Sequence, residues 1–443
     1  MTSDDASSKL TLEHFHVPCL GPAQYDNPLS VGHRDGCPGF KFADDIVRIR
    51  YDVTIGGDAQ DPPLSFEKAG LRRRTFFRPE DVRAAVVTCG GLSPGLNDVI
   101  RSLVTELRFQ YRVDSIRGIR YGYQGLNPAY GWPMVDLTLD RVSDIHTEGG
   151  TILGSSRERQ PAATMVDTLQ QQGINMLFCV GGDGTQRGAL DICREAARRH
   201  LPLSVVGIPK TIDNDIAFVY KTFGFDTAVA FATEALTGAH TEAKDYPRGV
   251  GMVKLMGRDS GFIAAYATLA SGDVNFLLVP EIPFGLDGEN GFLAHLGRRL
   301  DRRGHALIAV AEGAGQELFG EGTPRRAESD NARHQDIGLL LKNRIAEHFQ
   351  ARKEPVSMKY IDPGYMIRSM PANASDGIFC QDLARNAVHA AMAGKTGVMI
   401  GLWHNVFVHV PIALAVTARK KMLPTSSLWL SVLEMTGQPA RMV

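Results

Sequence analysis

The chain has 443 residues, of which 44% are hydrophobic, an ordinary composition for a soluble globular protein of roughly two to three domains. Its 48 basic and 49 acidic residues leave a net charge of -1, so no overall field favours nucleic acid or an anionic membrane. The six cysteines lack CxxC spacing, which argues against a disulfide framework or a zinc site. Because no long apolar run and no leader-like start are present, we expect a cytoplasmic protein without a membrane partner.

The first 80 residues are rich in Pro, Gly and Asp and carry no recognisable chemistry. We predict that residues 1–80 form an N-terminal extension that covers the core. From Val82 the pattern changes, because an apolar run at 84–87 precedes CGGLSPGLN and apolar residues then recur at helical spacing from Val99 to Leu107. This segment predicts a strand, a glycine loop and a helix.

The same order of elements recurs along the chain. Apolar runs at 176–180, 203–208, 250–256 and 306–311 each lead into a polar or glycine-rich segment. Strands that alternate with amphipathic helices predict parallel sheets with right-handed crossovers, and therefore an α/β fold. Ligands of such folds bind at the carboxyl ends of the strands, which makes the polar segments candidate binding loops. Residues 313–338 lack periodicity and predict a long surface loop.

Two glycine-rich segments are candidate phosphate-binding loops. The first, CGGLSPG at 89–95, lies where a strand turns into a helix, a place where backbone amides and the helix dipole can hold a phosphate. A tight structural turn explains that segment equally well. In the second, GGDGT at 181–185, the carboxylate of Asp183 is open to a ligand or Mg²⁺ while the glycines let phosphates approach the backbone. A helix cap is the alternative there.

Three arginines follow glycine-rich loops or predicted strands. Arg157 ends the segment GGTILGSSR, Arg258 follows Met256 and Gly257, and Arg368 closes the segment YMIR. A planar guanidinium can clamp a phosphoryl group with its fork of donors. A single arginine of this kind is usually a solvated surface residue, but several beside acidic loops indicate a site for an anion.

The segment IPKTIDND at 208–215 places opposite charges together after a predicted strand. A surface turn accounts for its Asn and Asp residues. Phosphoryl transfer accounts for more of it, because that reaction needs a base for the attacking hydroxyl, a metal ion and positive charge. Asp213 and Asp215 point in different directions if the segment is extended, so that one takes the proton and the other faces the metal. Lys210 offsets the negative charge.

Together, GGLSPGLN, GGTILGSSR, GGDGT, PKTIDND, MGRDSG, AEG and YMIR resemble the phosphofructokinase family from about Val82 to the C-terminus. The segments TCGG, VKLMGRDSGFIAA and KYIDP are similar to those of the long branch of this family, which contains plant and trypanosome-type ATP-dependent enzymes. The resemblance implies an α/β, phosphofructokinase-like fold of two Rossmann-like domains with mainly parallel sheets. It implies a larger nucleotide-binding domain at 81–227 and 361–415, and a smaller sugar-phosphate-binding domain with a C-terminal segment at 228–360 and 416–443.

The reaction implied by the resemblance converts ATP and fructose 6-phosphate into ADP and fructose 1,6-bisphosphate in glycolysis, with Mg²⁺ as the cofactor. Matched motifs make Asp213 the general base, Arg258 the cation on the transferred group, and Asp183 and Asp215 the metal-binding carboxylates. The implied ATP-binding residues are Gly91, Arg157, Glu158, Gly182, Asp183, Gly184 and Thr185. The implied residues for the sugar phosphate are Thr211, Ile212, Asp213, Met256, Gly257, Arg258, Glu312, Tyr365, Met366, Ile367 and Arg368.

Two positions bear on the phosphoryl donor. Pyrophosphate-dependent relatives carry an Asp directly after GGD, where its carboxylate would obstruct an ATP α-phosphate, and a Lys before TIDND. This chain combines the ATP-type Gly184 with the pyrophosphate-type Lys210, a mixture typical of the plant and trypanosome-type enzymes, so ATP is favoured and pyrophosphate is the alternative. Many bacterial enzymes also place an arginine where this chain has Gly249, which predicts a differently built clamp on the sugar phosphate.

Two further interpretations belong to other classes of protein. NAD kinases and lipid kinases also use GGDGT at a strand end, but they lack the TIDND and MGR segments. A non-catalytic sugar-phosphate sensor on the same fold is the remaining alternative, and the joint presence of Asp183, Asp213 and Arg258 argues against it. The resemblance also implies a homo-oligomer, either a tetramer or a dimer of dimers, while the sequence indicates no particular effector.

Overall fold

The computed structural model describes residues 10–31, 42–54, 63–320 and 334–442. Parts of the predicted N-terminal extension and of the predicted loop at 313–338 lie outside these residues. The chain divides into two compact units, each described by itself below. Unit 1 comprises residues 1–211, 216–224 and 369–419, and unit 2 comprises residues 212–215, 225–368 and 420–443.

The strands of the described chain are β1 (Tyr25–Asp26), β2 (Arg48–Arg50), β3 (Ser65–Lys68), β4 (Arg74–Thr75), β5 (Arg83–Thr88), β6 (Ser115–Ile119), β7 (Val135–Asp136), β8 (Met176–Gly181), β9 (Ser204–Pro209), β10 (Gly249–Leu255), β11 (Phe276–Leu278), β12 (His305–Ala311), β13 (Ser357–Ile361), β14 (Val398–Trp403) and β15 (Val406–Pro411). The longer α-helices are Leu96–Thr105, Ala162–Gln171, Asp183–Arg198, Phe225–Lys244, Phe262–Ser271, Phe292–Arg303, Ile337–Ala351, Ala374–Met392 and Ser427–Thr436. Short helices span Pro28–Val31, Gly364–Ser369 and Ile412–Ala415.

Unit 1 is built around a nine-stranded sheet with the order β2-β3-β15-β14-β9-β8-β5-β6-β7. Its centre is parallel, from β14 through β9, β8 and β5 to β6. The strands outside that centre pair antiparallel. Two of them, β2 and β3, come from the first 80 residues, so this part of the extension adds strands to the sheet.

The central strands of unit 1 are apolar on both faces, which is why they read as continuous apolar runs. Alternate residues of a strand point to opposite faces. Accordingly, Ala84 and Val86 of β5 pack into one core with the helices Leu96–Thr105 and Ala374–Met392, whereas Ala85 and Val87 pack into a second core with Ala162–Gln171 and Asp183–Arg198. Helices therefore cover the sheet on both faces, and the predicted α/β class is confirmed.

Unit 2 contains a smaller, entirely parallel sheet with the order β11-β12-β10-β13. Its strands also alternate between two cores. Val253 of β10 packs with the helices Phe225–Lys244 and Phe262–Ser271, while Met252 packs on the other face with Phe292–Arg303 and Ile337–Ala351. No helix within the described residues is long and apolar enough to cross a membrane.

A buried ionic cluster connects Glu67 of β3 with Lys395 and with His409 of β15. The carboxylate of Glu67 accepts hydrogen bonds from Arg72 at 3.1 Å, from His409 at 2.9 Å and from the Lys395 Nζ at 3.2 Å. Burial disfavours the ionised carboxylate, but its hydrogen bonds and the charge of Lys395 outweigh that effect and lower the pKa of Glu67 from 4.5 to about 2. The cluster therefore stabilises the fold while Glu67 is ionised.

We expect Glu67→Gln to lower the melting temperature at pH 7, because breaking a buried charge pair costs roughly 3 to 5 kcal/mol. A depressed folded-state pKa contributes stability above the ordinary pKa of 4.5, and that contribution is lost as the pH falls towards 2. The melting-temperature difference between the two proteins should therefore shrink below about pH 4.5. The exposed Glu80→Gln is the control and should melt like the wild type. A difference that stays constant with pH would contradict the role of ionised Glu67.

Candidate active site

The glycine turn after β5 lies against two cationic side chains of unit 1. The buried Lys210 donates from Nζ to the carbonyl oxygen of Gly91 at 2.5 Å. A Cβ at Gly91 would lie 3.0 Å from the guanidinium of Arg157, and a Cβ at Gly90, whose φ is +89°, would lie 3.2 Å from the Lys210 Nζ. The absence of side chains at Gly90 and Gly91 thus lets both cations approach the turn. The structure brings Gly91, Arg157 and Lys210 together.

The second glycine loop passes directly from β8 into the helix Asp183–Arg198, with Gly182 as its N-cap. The amides of a helix N-terminus and the positive end of its dipole favour an anion. Gly184, in the first turn of this helix, is exposed, and a Cβ added to it would meet nothing within 4 Å. Thr185 is instead buried, and its carbonyl accepts a hydrogen bond from Tyr123 at 2.7 Å. The loop is therefore fixed through the buried Thr185, while the space next to Gly184 is open.

Glu158 lies beside Arg157 in the sequence and is held by two donors in unit 1. Gln124 donates to its Oε2 at 2.6 Å and Tyr130 donates to the same atom at 3.0 Å. Both donors come from the segment that follows β6, which contains the Gly-rich pattern YGYQG at 121–125. These contacts fix the carboxylate next to the loop that carries Arg157.

Asp183, a carboxylate predicted to bind the metal, is the first residue of the helix Asp183–Arg198 in unit 1. Its Oδ2 contacts Arg187 at 3.1 Å and Arg419 at 3.4 Å, and its side chain is 14% exposed. Within the described residues, His, Cys, Asp and Glu form no group of three or more that could hold a metal. Mg²⁺ at nucleotide sites is commonly held by one or two carboxylates together with phosphates and water, so a single carboxylate at a helix N-terminus fits that ion.

In unit 2, Asp213 lies beside Arg258. The Asp213 Oδ2 is 4.0 Å from the Arg258 Nε, and Ser260 donates to the Asp213 carbonyl at 3.2 Å. Arg258 has a positive φ of 49°, and its backbone amide donates to Glu312 at 3.0 Å. Because Glu312 directly follows β12, and Met256 and Gly257 directly follow β10, adjacent parallel strands bring these segments together.

The environment of Asp213 raises the pKa of its carboxyl group above that of an ordinary aspartate. Burial is the largest cause and the charge of Asp215 the next, and together they raise the pKa of Asp213 to about 7, although Arg258 and Arg368 oppose them. Arg368 therefore belongs to the electrostatic surroundings of Asp213. A carboxylate whose pKa is near 7 can both accept and release a proton near neutral pH.

The remaining predicted residues occupy different environments. Ile212, Met256 and Ile367 are buried in one apolar core of unit 2, so a ligand contact by Ile212 or Ile367 would be made by the backbone. Tyr365 is 91% exposed, and Met366 is also exposed. Thr211, in contrast, belongs to unit 1. The predicted residues thus divide between unit 1 and unit 2.

The structure also accounts for Gly249, the position where a bacterial-type arginine is missing. Gly249 is the first residue of β10, and a Cβ there would collide with the carbonyl oxygen of Ala243. The preceding Arg248 is engaged elsewhere, with Asp301 at 2.7 Å and Glu354 at 3.2 Å. A side chain at 249 is therefore excluded by the backbone of the helix before it.

Lys420 is a member of the Asp213 cluster that the sequence interpretation missed. Its Nζ donates to the Oδ1 of Asn214 at 3.0 Å, and its backbone amide donates to the carbonyl of Asp215 at 2.8 Å. Burial lowers the pKa of Lys420 to about 7, although the charge of Asp215 opposes this. In the sequence, Lys420 stands in the basic run 419–421, which resembles a solvated surface, and some 200 residues separate it from Asn214. No local signal could have identified it.

A sheet with a parallel centre, a second and entirely parallel sheet, glycine loops, and a buried carboxylate beside an arginine at the strand ends are typical of an α/β phosphotransferase with Rossmann-like units. A sequence model of the family described as phosphofructokinase matches residues 83–391. The chain belongs to the phosphofructokinase family.

Individual relatives match along nearly the whole chain. The ATP-dependent 6-phosphofructokinase of Borreliella burgdorferi is 49% identical over 436 residues and covers 97% of both chains. ATP-dependent 6-phosphofructokinase 1 of Arabidopsis thaliana is 47% identical and covers 97% of this chain and 90% of its own. The ATP-dependent 6-phosphofructokinase of Trypanosoma brucei brucei is 47% identical, with 97% and 88% covered. The predicted resemblance to plant and trypanosome-type enzymes is confirmed.

A solved structure supports the fold. The pyrophosphate-dependent phosphofructokinase of Marinobacter aquaeolei matches with a TM-score of 0.66 over 80% of this chain and 91% of its own, at 21% identity. At that identity the similarity concerns the fold alone. The predicted phosphofructokinase-like architecture is confirmed.

Lys420 is expected to act as a positioning residue for the segment Asp213–Asp215, because it binds Asn214, whose φ is +54°. Without the Lys420 Nζ, this left-handed residue loses a hydrogen bond from a buried donor. We expect Lys420→Met to lower phosphofructokinase kcat roughly 10- to 100-fold with a smaller change in KM, as for a displaced reacting group. Lys420→Arg should restore part of kcat, and the exposed Lys421→Met is the matched control. Equal loss in both arginine and methionine variants would contradict a positioning role.

Proposed function

We propose that this chain is an ATP-dependent 6-phosphofructokinase, which transfers the γ-phosphoryl group of ATP to the C1 hydroxyl of fructose 6-phosphate and yields fructose 1,6-bisphosphate. The names of the relatives that match 97% of the chain support ATP and this sugar phosphate as substrates. The observation that carries the proposal is the buried Asp213 carboxylate, with its raised pKa, beside Arg258.

Asp213 is the general base in this mechanism. As the C1 hydroxyl attacks the γ-phosphorus, its proton passes to the Asp213 carboxylate, and the bond between the γ-phosphorus and the bridging oxygen of ADP breaks. A pKa of about 7 suits the acceptance of a hydroxyl proton at neutral pH. The Nε of Arg258 is 4.0 Å from the Oδ2 of this carboxylate. Arg258 therefore provides positive charge where negative charge accumulates. Glu312 orients Arg258 by accepting its backbone amide hydrogen bond.

The loops of unit 1 are assigned to the nucleotide. The amides at the start of the helix Asp183–Arg198 and the cations Lys210 and Arg157 suit the donor phosphates. Glu158, held by Gln124 and Tyr130, is assigned to the same nucleotide. The full set proposed for ATP is Gly91, Arg157, Glu158, Gly182, Asp183, Gly184 and Thr185.

The loops of unit 2 are assigned to the sugar phosphate, together with Thr211. The carboxyl ends of β10 and β12 supply the segment 256–258 and Glu312. The segment Tyr365–Arg368 supplies an exposed tyrosine and an arginine whose charge reaches Asp213. Each of these side chains or backbone groups is a proposed contact for fructose 6-phosphate.

Kinases of this family generally need a divalent metal, and we propose Mg²⁺. The oxygen ligands expected for it in this chain are the carboxylates of Asp183 and Asp215. When bound, Mg²⁺ neutralises charge on the donor phosphates. As the resemblance implies, we also propose a homo-oligomer, either a tetramer or a dimer of dimers.

Pyrophosphate is the alternative donor, because Lys210 is the type found in pyrophosphate-dependent relatives. The open space at Gly184 favours ATP, since a Cβ placed there meets no atom within 4 Å beyond its chain neighbours and the backbone of its own helix. A nucleotide α-phosphate near this helix N-terminus therefore meets no side chain at position 184. The wild type should be active with ATP and nearly inactive with pyrophosphate when both are assayed with fructose 6-phosphate. Equal or higher activity with pyrophosphate would overturn the proposed donor.

In the same assay we expect Gly184→Asp to weaken ATP use, through a raised KM for ATP, because a carboxylate would then face the donor phosphates. The substitution is sterically tolerated by the protein, so the melting temperature should remain close to that of the wild type. Gly184→Ala is the matched control for added bulk without charge. If Gly184→Asp had the same ATP kinetics as the wild type, repulsion between a carboxylate at position 184 and the donor phosphates could not explain the choice of donor.

For Asp213→Asn we expect kcat to fall by roughly 10² to 10⁴, as for removal of a general base. ATP binding, measured by isothermal titration in the absence of turnover, should be retained because the nucleotide is assigned to unit 1. The exposed Asp287→Asn is a control for loss of a unit 2 carboxylate, and it should leave kcat unchanged. A turnover close to that of the wild type would be incompatible with Asp213 as the base.

A further inference from the structure

Two histidines of unit 2 face each other far from the Asp213 cluster. His240 lies in the last turns of the helix Phe225–Lys244, and His305 is the first residue of β12. Their Nε2 atoms are 3.3 Å apart. Glu312 follows the other end of β12, so the pair lies roughly 20 Å away from it along the strand. The proposed reaction gives this pair no role.

The surroundings of each ring determine which nitrogen carries a hydrogen. The Nδ1 of His240 is 3.1 Å from a carboxylate oxygen of Asp273, and the Nδ1 of His305 is 3.1 Å from the carbonyl oxygen of Arg303. Both partners only accept hydrogen bonds, so each Nδ1 is the donor. In a neutral imidazole the other nitrogen then carries a lone pair. Two Nε2 lone pairs therefore face each other, an arrangement that a cation between them would stabilise.

The spacing of the two Nε2 atoms fits a metal ion. Zn–N bonds of about 2.0 to 2.1 Å at a tetrahedral angle place two imidazole nitrogens roughly 3.3 Å apart. A hydrogen bond from one ring to the other at this separation would require one imidazole to be protonated, because each Nδ1 already carries the hydrogen of the neutral ring. The outer contacts fit as well, because metal-binding histidines typically donate their second N–H to a carboxylate or a backbone carbonyl.

We propose that His240 and His305 bind a divalent transition-metal ion of the Zn²⁺ type through their Nε2 atoms. Asp273 and the carbonyl of Arg303 orient the two rings, and water completes the coordination. Zn²⁺ is the expected class because imidazole nitrogen suits it, whereas Mg²⁺ prefers oxygen ligands. Such an ion would join the end of a helix to the start of β12.

The charges around the pair indicate moderate affinity. Asp273 favours a cation at His240, while Arg299 and Lys244 are close enough to His305 to oppose one electrostatically. The described residues supply no group of three or more His, Cys, Asp or Glu ligands, so the protein contributes two ligands. A two-histidine site of this kind is reversible, and its occupancy depends on the available metal.

The test is equilibrium dialysis of the full-length protein against Zn²⁺ with Mg²⁺ in excess, compared with His240→Gln and His305→Gln. The wild type should bind one Zn²⁺ per chain more than either variant. Other sites, including cysteine thiols, are unchanged between these proteins and cancel in the comparison. Asp273→Asn should weaken this additional site roughly 10- to 100-fold, as for the loss of an outer-shell partner. The exposed His404→Gln is the matched control and should bind like the wild type.

Thermal unfolding provides an independent readout. An ion that binds only the folded protein stabilises the folded state. Zn²⁺ should therefore raise the melting temperature of the wild type more than that of either histidine variant. The two variants test the site separately, so that misfolding of one leaves the other informative. Equal Zn²⁺ stoichiometry and equal melting shifts in the wild type and a folded variant would overturn the proposal. The absence of any additional Zn²⁺ in the wild type would also overturn it, in favour of a proton shared between the rings.

Discussion

Parallel strands covered by helices on both faces are the constraint on which both units depend. Such strands can carry few polar side chains, because both faces of β5, β8 and β10 are packed in apolar cores. Polar and charged residues are therefore concentrated where the strands end, and the parallel order brings several carboxyl ends to one edge. The glycine turn near Lys210 in unit 1 and the Asp213 cluster in unit 2 both follow from this arrangement.

Burial then decides how the concentrated charges behave. Asp213 and Lys420 lie in one cluster of unit 2, and for both, burial is the largest influence and moves the pKa to about 7. Glu67 in unit 1 behaves differently, since its donors outweigh burial and keep it ionised. For Glu67 the hydrogen bonds and charges of His409 and Lys395 lower the pKa, whereas for Asp213 the charge of Asp215 adds to the effect of burial. A buried carboxyl group thus has a raised pKa in one place and a lowered pKa in another, according to the charges and donors around it.

Much of the site was predictable because its residues are local to strand ends. The sequence placed Gly91, Asp183, Asp213 and Arg258 after apolar runs, and in the structure each of them follows a parallel strand, with Asp183 at the start of a helix. The contributions of Lys420 and of the His240–His305 pair were not predictable. They depend on contacts between segments far apart in sequence, and the sequence at each position is compatible with an ordinary solvated side chain. The described strands β2 and β3 were likewise hidden in a segment without a clear pattern.

The sequence by itself determined the α/β class, the order of most strands and helices, the polar loops after the strands and the family, because periodicity and short motifs are local properties. The tertiary structure decided which strands are neighbours, which charges are buried and which distant side chains hold the loops. It showed that Gly249 cannot carry a side chain, that Lys420 supports Asn214, and that Gly184 faces open space. These outcomes depend on distances and desolvation, which arise only when remote segments pack together.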